Sequence, residues 1–393
     1  MCPAGAVHDM TDLHRLAPPF AVCFCAGGLY GWSALATTLQ AAFDLRMAPA
    51  GLVFSLALLA FTTAVIMAPY IGIGAWLGQM RMLATCAGLG ALCIGLAAFA
   101  PSFAVFTALF SLGFGAMSGA IYSTALGLAA ASASARITTP VTVAGFGLGS
   151  AVFGPLWKLL SAQGWGLSAL LPLAGALAIS GVLAAVASAN TTPALRTPPP
   201  AQNRAPLPRR VLALIWAIFA TGTFGGLMVL GLAAKIMDVG GAALALAGTV
   251  LAGVALANTF GRLSAAALPA QAGAIAGLVV SCALTLTGLT TAALATGPAF
   301  LGAGLVCVAA SYGLMASSIP LITAQAVGPA QFQRAFGIVL TAWGASGFAA
   351  PWLTGLLFDL RGDFALAYAC AAVATTLCVP LIWTLRAGLS PAR

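Results

Sequence analysis

Apolar residues run in twelve stretches along the chain, and polar residues or Gly–Pro breaks separate them. Each stretch is near the roughly 20 residues that an α-helix needs to cross a bilayer. Backbone groups in hydrocarbon must hydrogen-bond within their own segment, so each stretch is predicted to be helical. The pattern therefore predicts an all-α membrane protein with twelve transmembrane helices. The predicted spans are 17–40, 51–73, 82–100, 102–126, 138–160, 166–189, 210–234, 243–263, 272–295, 298–322, 335–357 and 364–386.

Composition supports a lipid environment. Of the 393 residues, 62% are hydrophobic and only 5% are charged, whereas soluble domains carry about 25% charged residues. The net charge of +9 does not indicate nucleic-acid binding, because the basic residues form no dense patch beside aromatic residues. The lipid bilayer is the expected surrounding, and we expect a monomer.

A proline-rich segment divides the chain. Residues 190–209, NTTPALRTPPPAQNRAPLPR, contain six prolines and three arginines, so they are predicted to be a cytoplasmic linker. Residues 1–189 then form one six-helix bundle and residues 210–393 a second. GFGLGSAVFGPLW at 145–157 and GASGFAAPW at 344–352 are weakly similar. Two six-span repeats indicate the major facilitator architecture, in which substrate binds between the halves near the midplane.

The distribution of basic residues predicts the orientation. With the N-terminus inside, ten Lys and Arg residues lie inside and four lie outside, which agrees with the positive-inside rule. Both termini are therefore predicted to be cytoplasmic. The first span is too long for the apolar core of a cleaved signal peptide. We expect a multi-pass protein of a bacterial inner (plasma) membrane.

Three segments resemble one branch of the major facilitator superfamily. LYGWSALATTLQAAF at 29–43, NTFGRL at 258–263 and FGIVLTAWGASGFAAPWLTGLLFDLRGDF at 336–364 are similar to motifs of the oxalate/formate antiporter and monocarboxylate porter branch. The resemblance implies a secondary transporter of small carboxylates. It also implies that aromatic side chains at Tyr30, Tyr312 and Trp343 enclose the substrate, although membrane Tyr and Trp residues more often pack helices or lie at the interface.

Arg262 is the charged residue that the orientation count leaves inside a predicted span, with neither membrane side to place it on. A charge in the membrane costs roughly 2.5–3.5 kcal/mol even on lenient scales and usually faces a cavity or a partner. Its planar guanidinium fits a carboxylate with two hydrogen bonds. Asn258 lies one helical turn earlier and shares its face; related proton-coupled carriers have an aspartate at that place. The alternative is a structural arginine that binds backbone carbonyls at a helix end.

The acidic residues bear on coupling and substrate charge. The chain has six Asp and no Glu, none of the six lies in a predicted span, and both histidines, His8 and His14, are near the N-terminus. A proton-coupled carrier usually buries a titratable carboxylate, so we favour a uniporter or an exchanger. By resemblance, oxalate carriers place a lysine where this chain has Trp343. One buried cation balances one carboxylate, so a monocarboxylate is favoured.

Four residues are candidates for gating or hinge motion. Pro155 and Pro351 should kink the fifth and eleventh spans at equivalent positions. Gly78 and Arg81 remain from the superfamily's motif in the loop after span two. The charged residues of that motif are replaced by Ala75 and Trp76, so the cytoplasmic gate is expected to close by packing.

Other functions remain open. A carrier of a neutral solute or a drug, a copper pathway through Met and Cys, and a non-transporting sensor are the alternatives. The chain has no C-x-x-C, phosphate-loop or H-E-x-x-H motif, and we expect no enzyme activity, metal site or cofactor.

Overall fold

The computed structural model describes residues 17–71, 78–130, 135–189, 207–266 and 272–389. Most of the predicted linker, both histidines and the loop residues Ala75 and Trp76 lie outside these ranges. Within them, every regular element is a helix.

Thirteen helices follow one another in the described residues. They are α1 (Ala17–Gly31), α2 (Ser33–Phe43), α3 (Met47–Ile71), α4 (Gln79–Ala97), α5 (Phe103–Ala129), α6 (Ala135–Ala162), α7 (Gly166–Ala189), α8 (Arg209–Val239), α9 (Leu244–Ala266), α10 (Ala272–Ala293), α11 (Pro298–Val327), α12 (Pro329–Arg361) and α13 (Ala365–Leu389). The first predicted span comprises α1 and α2, so each later span carries a helix number one higher.

The described helices confirm a multi-pass membrane protein. Ten of them are long and apolar enough to cross a bilayer, and the pair α1–α2 brings the number to eleven if it counts as one span. Helix α6 is 28 residues long but is not among them; its sequence begins with ARITTP and has Lys158 near its end. The exact number of twelve spans stays a prediction.

The first predicted span is bent rather than straight. Helices α1 and α2 meet at an angle of 56°, and residues Gly27–Gly31 before the bend form a 3₁₀ helix. Three of these five residues are glycines, whose conformational freedom allows such a local change in helix type. Tyr30 lies within this 3₁₀ segment.

The helices form two groups that face each other. We call α1–α7 the N-terminal half and α8–α13 the C-terminal half; the boundaries predicted for the two bundles and the linker stay predictions. The main contacts between the halves are α3 with α12, α6 with α9, and α2 with α8. Several of the residues described below lie on these helices.

Candidate functional site

Aromatic side chains from both halves lie around Arg262. We call this group the central cluster. Its members are Tyr30, Phe61, Tyr122, Phe146, Asn258, Arg262, Tyr312 and Trp343. All five substrate-binding residues predicted from the sequence belong to it.

Two contacts within the C-terminal half help to position Arg262. Its Nε donates a hydrogen bond to Asn258 Oδ1 at 3.3 Å, and its guanidinium carbon lies 5.6 Å from the centroid of the Tyr312 ring. The second distance is in the range of a cation–π interaction. Helical side chains tilt toward the helix N-terminus, so the guanidinium of α9 lies closer to the level of Asn258 than to that of its own Cα. The arginine therefore does not point out past the end of α9.

The charge of Arg262 has no carboxylate counterpart in the described part of the chain. The ion pair found there joins Lys158 and Asp238. The ionisable side chains that interact with the Arg262 guanidinium include Tyr30, Tyr122 and Tyr312. Neutral phenols are hydrogen-bonding partners but do not balance a positive charge. A cation in this setting favours an anionic ligand.

Asn258 has an unused donor beside this cation. The residue is fully buried, and while its Oδ1 accepts from Arg262, its Nδ2 has no hydrogen-bond partner. Leaving a buried donor unsatisfied costs about 1–3 kcal/mol. A ligand oxygen between Nδ2 and the guanidinium would relieve that cost.

A chain of hydrogen bonds links the halves through Tyr312. Its hydroxyl oxygen accepts from Trp343 Nε1 at 2.8 Å and lies 3.2 Å from the hydroxyl of Tyr30. Tyr30 belongs to the N-terminal half, whereas Tyr312 and Trp343 belong to the C-terminal half. Polar atoms of the three predicted aromatic residues thus meet at one point between the halves.

Phe146 organises the N-terminal side of the cluster. Its ring centroid lies 5.0 Å from that of Tyr30, 5.6 Å from that of Phe61 and 5.4 Å from that of Tyr122. The ring centroid of Phe61 also lies 5.5 Å from that of Trp343 in the other half. Edge-to-face pairs of this kind fix ring orientation. Sequence reasoning missed Phe61 and Phe146, because a phenylalanine in an apolar span carries no signal of which face it occupies.

Two glycines set the position of Tyr312. A Cβ at Gly226 of α8 would overlap the Tyr312 side chain, and a Cβ at Gly313 of α11 would overlap the backbone carbonyl of Asn258. Small residues of this kind let membrane helices approach closely. Close packing of α11 on α8 and α9 therefore holds the Tyr312 ring beside Arg262.

Polar contacts also join the halves at the predicted outer end, and we call them the outer contacts. Lys158 Nζ of α6 lies 2.7 Å from a carboxylate oxygen of Asp238 on α8. Asp359 of α12 accepts hydrogen bonds from the backbone N–H groups of Met47 and Ala48 at 2.8 and 2.7 Å. A carboxylate from one half thus caps the N-terminus of a helix from the other half, where the helix dipole favours negative charge.

A small cavity lies between the central cluster and the outer contacts. Its volume is about 10 Å³, and its lining includes Tyr30, Ser33, Ser150, Leu251 and Val254. This is room for roughly one water molecule. The cavity therefore leaves little free space beside Tyr30 on the side of the outer contacts.

The four predicted gating residues lie apart from the cluster. Pro155 is half-buried in α6, and Pro351 is buried in α12, where a Cβ at Gly51 of α3 would press against its carbonyl oxygen. Gly78 precedes α4 with φ of 81°, and Arg81 is exposed in the first turn of α4. Their roles in motion stay predictions.

Comparisons with known proteins identify the fold. No protein-family model and no curated protein matches the sequence. Two solved structures of a bacterial homologue of the human lysosomal transporter Spinster are similar. One, inward-facing and occupied, has a TM-score of 0.69 at 13% identity and covers 95% of this chain and 98% of that chain. The other, inward-facing and unoccupied, has a TM-score of 0.67 at 14% identity and covers 97% and 96%.

The chain has a major-facilitator-type transporter fold. The similarity extends over nearly the whole of both chains, which agrees with the architecture expected from the two six-span repeats. Within the described ranges, no group of three His, Cys, Asp or Glu residues lies together as metal ligands would.

Proposed function

We propose that the protein is a twelve-span secondary transporter of the major facilitator superfamily, and that it moves a small monocarboxylate by alternating access as a uniporter or exchanger. The observation that carries this proposal is the Arg262 guanidinium, which lies between the halves with no carboxylate partner among the described residues. The transporter fold and the resemblance to the carboxylate porter branch support it.

The chemistry of the cluster favours a carboxylate. A guanidinium presents its N–H groups in a planar fork. The Nε group of Arg262 donates to Asn258 Oδ1, and Tyr30 and Tyr122 are neutral hydrogen-bond partners of the guanidinium. The two oxygens of a carboxylate would replace these neutral partners at the terminal N–H groups. The Nδ2 group of Asn258 supplies one more donor beside them. Phe61, Phe146 and Trp343 would then exclude water from the bound anion and strengthen its attraction to the charge.

The single charge favours a monoanion over a dianion. Arg262 is the only cation of the cluster, and the position of a second cation in related oxalate carriers is held by Trp343, whose Nε1 donates to Tyr312. A dianion bound here would keep one charge without a counter-charge, which is costly in a buried site. The proposed substrate class is therefore formate-like or lactate-like anions.

The outer contacts fit an inward-facing form of the proposed transport cycle. They join the halves on the predicted outer side, while Arg262 is half-buried in the cytoplasmic third of α9. Substrate would reach it from the cytoplasm in this form. Opening of the outer side would require the outer contacts and the Tyr30–Tyr312 pair to separate.

Uptake into proteoliposomes tests the proposal. Wild type, Arg262→Ala and the control Arg46→Ala, which removes an exposed loop arginine, are assayed with labelled formate, lactate, pyruvate and oxalate, with and without a pH gradient. We expect the wild type and the control to move a monocarboxylate and the Arg262 variant, folded by circular dichroism, to lose uptake. Indifference to the pH gradient would support uniport or exchange. Failure of the wild type with every anion would reject the proposal in favour of a neutral solute, a drug, copper or a sensor.

A further inference from the structure

A long apolar groove lies on the side of the N-terminal half that faces the lipid. Its volume is about 560 Å³, and it is formed by α3, α4 and α5. Its lining includes Leu56, Ala60, Met67, Met82, Cys86 and Leu112. The hydroxyl of Thr63, which also lines it, already donates to Leu59 O. The groove therefore offers an apolar ligand a surface without unmet hydrogen bonds.

The length and depth of the groove match one leaflet of the bilayer. On α3 the lining extends from Leu56 to Ala68, which is thirteen residues and about 18 Å of helix. Half of a hydrocarbon core of about 30 Å is about 15 Å. One end of the groove therefore lies near the bilayer centre and the other near the predicted cytoplasmic surface.

A basic residue marks the surface end. Arg81 precedes Met82, a lining residue, in the first turn of α4, and it is exposed. No carboxylate of the described residues pairs with it. An arginine at the cytoplasmic end of a groove between transmembrane helices suits the phosphate of an anionic lipid.

We propose that this groove binds an anionic phospholipid of the cytoplasmic leaflet, with one acyl chain along α3 and α5 and its phosphate on Arg81. An adjacent face of the same α3 segment carries Phe61, which belongs to the central cluster. Bound lipid would therefore support the N-terminal wall of the cluster. The proposal does not depend on the identity of the transported substrate.

Native mass spectrometry of the purified protein in detergent, with added phosphatidylglycerol, cardiolipin or phosphatidylcholine, tests the proposal. The variants are Arg81→Gln, which removes the phosphate partner, and Ala60→Phe, which fills the groove. The matched control is Arg386→Gln, an exposed arginine at the cytoplasmic end of α13.

We expect the wild type to retain one anionic lipid in preference to phosphatidylcholine, and Arg81→Gln to lower its affinity about fivefold. The Ala60→Phe variant should lose the bound lipid, and Arg386→Gln should keep it. Retention of phosphatidylglycerol over cardiolipin, or the reverse, identifies the headgroup. Equal losses in Arg81→Gln and Arg386→Gln, or unchanged binding in both groove variants, would overturn the proposal. A thermal unfolding scan of each variant shows whether it is folded.

Discussion

The outer contacts and the central cluster both join the two halves, but they treat charge in opposite ways. At the outer end, Lys158 pairs with Asp238, and the Asp359 carboxylate meets the N–H groups at the start of α3. At the centre, Arg262 meets aromatic rings, hydroxyls and an amide. Charges satisfied within the protein hold its halves together, whereas a charge left unbalanced is available to a ligand. We therefore propose that the outer contacts close the outer side and that the central cluster recognises the substrate.

The largest effect is expected from changing the cation of the cluster. Arg262→Gln should lower monocarboxylate uptake at least thirtyfold, since losing one partner of a buried charge pair costs about 2–5 kcal/mol. Arg262→Lys should restore only part of it, because an ammonium lacks the planar fork. Initial uptake rates in proteoliposomes measure both. Full activity of the glutamine variant would show that the charge of Arg262 is not needed to recognise the substrate.

A second cation in the cluster should change the substrate. Trp343→Lys is expected to raise uptake of oxalate relative to formate about tenfold, because the added charge balances the second carboxylate. Trp343→Phe is the control, since it removes the indole N–H bonded to Tyr312 without adding charge. Competition between the two labelled anions measures the ratio. An equal shift in both variants would mean that charge does not set the preference.

The cap formed by Asp359 should be the stronger of the outer contacts. Asp359→Ala removes a helix cap, which is typically worth about 0.5–2 kcal/mol. Opening toward the outside should therefore become about two- to thirtyfold more frequent. The measurement is the rate at which an impermeant maleimide labels Ser33→Cys, in the wall of the small cavity, in protein whose native cysteines are replaced. An unchanged rate would show that the cap does not hold the outer side closed.

The hydroxyl pair between the halves should have a moderate effect. Tyr312→Phe removes the acceptor of Trp343 and the partner of Tyr30 but keeps the ring over Arg262. A hydrogen bond contributes about 0.5–1.5 kcal/mol, so we expect a two- to tenfold change in the KM for the monocarboxylate. Tyr368→Phe, on α13, serves as the control. A loss as large as that of Arg262→Gln would mean that the hydroxyl, not the cation, is the main ligand.

The ion pair at the outer end should have the smallest effect. Its side chains are 12% and 32% exposed, and partly exposed pairs contribute about 0.2–1 kcal/mol. Lys158→Asp should raise maleimide labelling of Ser33→Cys by no more than about fivefold, and adding Asp238→Lys should reverse the change. If the double variant labels as fast as the single one, the pair does not contribute to closure.

Much of the helical arrangement could be predicted from the apolar stretches. A backbone that crosses hydrocarbon must form its hydrogen bonds internally, so each long apolar stretch is expected to be a helix. The predicted span 335–357 and the observed α12, Pro329–Arg361, show the limit. Hydropathy falls at the membrane surface, but the helix continues into water. The bend at Trp32 was missed, since glycines in a span also serve close packing.

The candidate site was only partly predictable. Arg262 and Asn258 were evident as polar residues in apolar sequence, and Tyr30, Tyr312 and Trp343 came from the resemblance. The outer contacts were not foreseen, because the sequence placed Lys158, Asp238 and Asp359 on one side of the membrane without showing which residues pair. Pairing depends on how the halves pack, and that requires the three-dimensional structure.

Equilibrium binding tests the assignment of recognition to the centre most directly, because it does not require movement between conformations. Isothermal titration of the purified protein with formate, lactate, pyruvate and oxalate would be compared between wild type and Arg262→Ala. The account predicts that the wild type binds one monocarboxylate per chain more tightly than oxalate and that the alanine variant, still folded, binds none. Equal binding by the two proteins, or tighter binding of oxalate than of every monocarboxylate by the wild type, would contradict it.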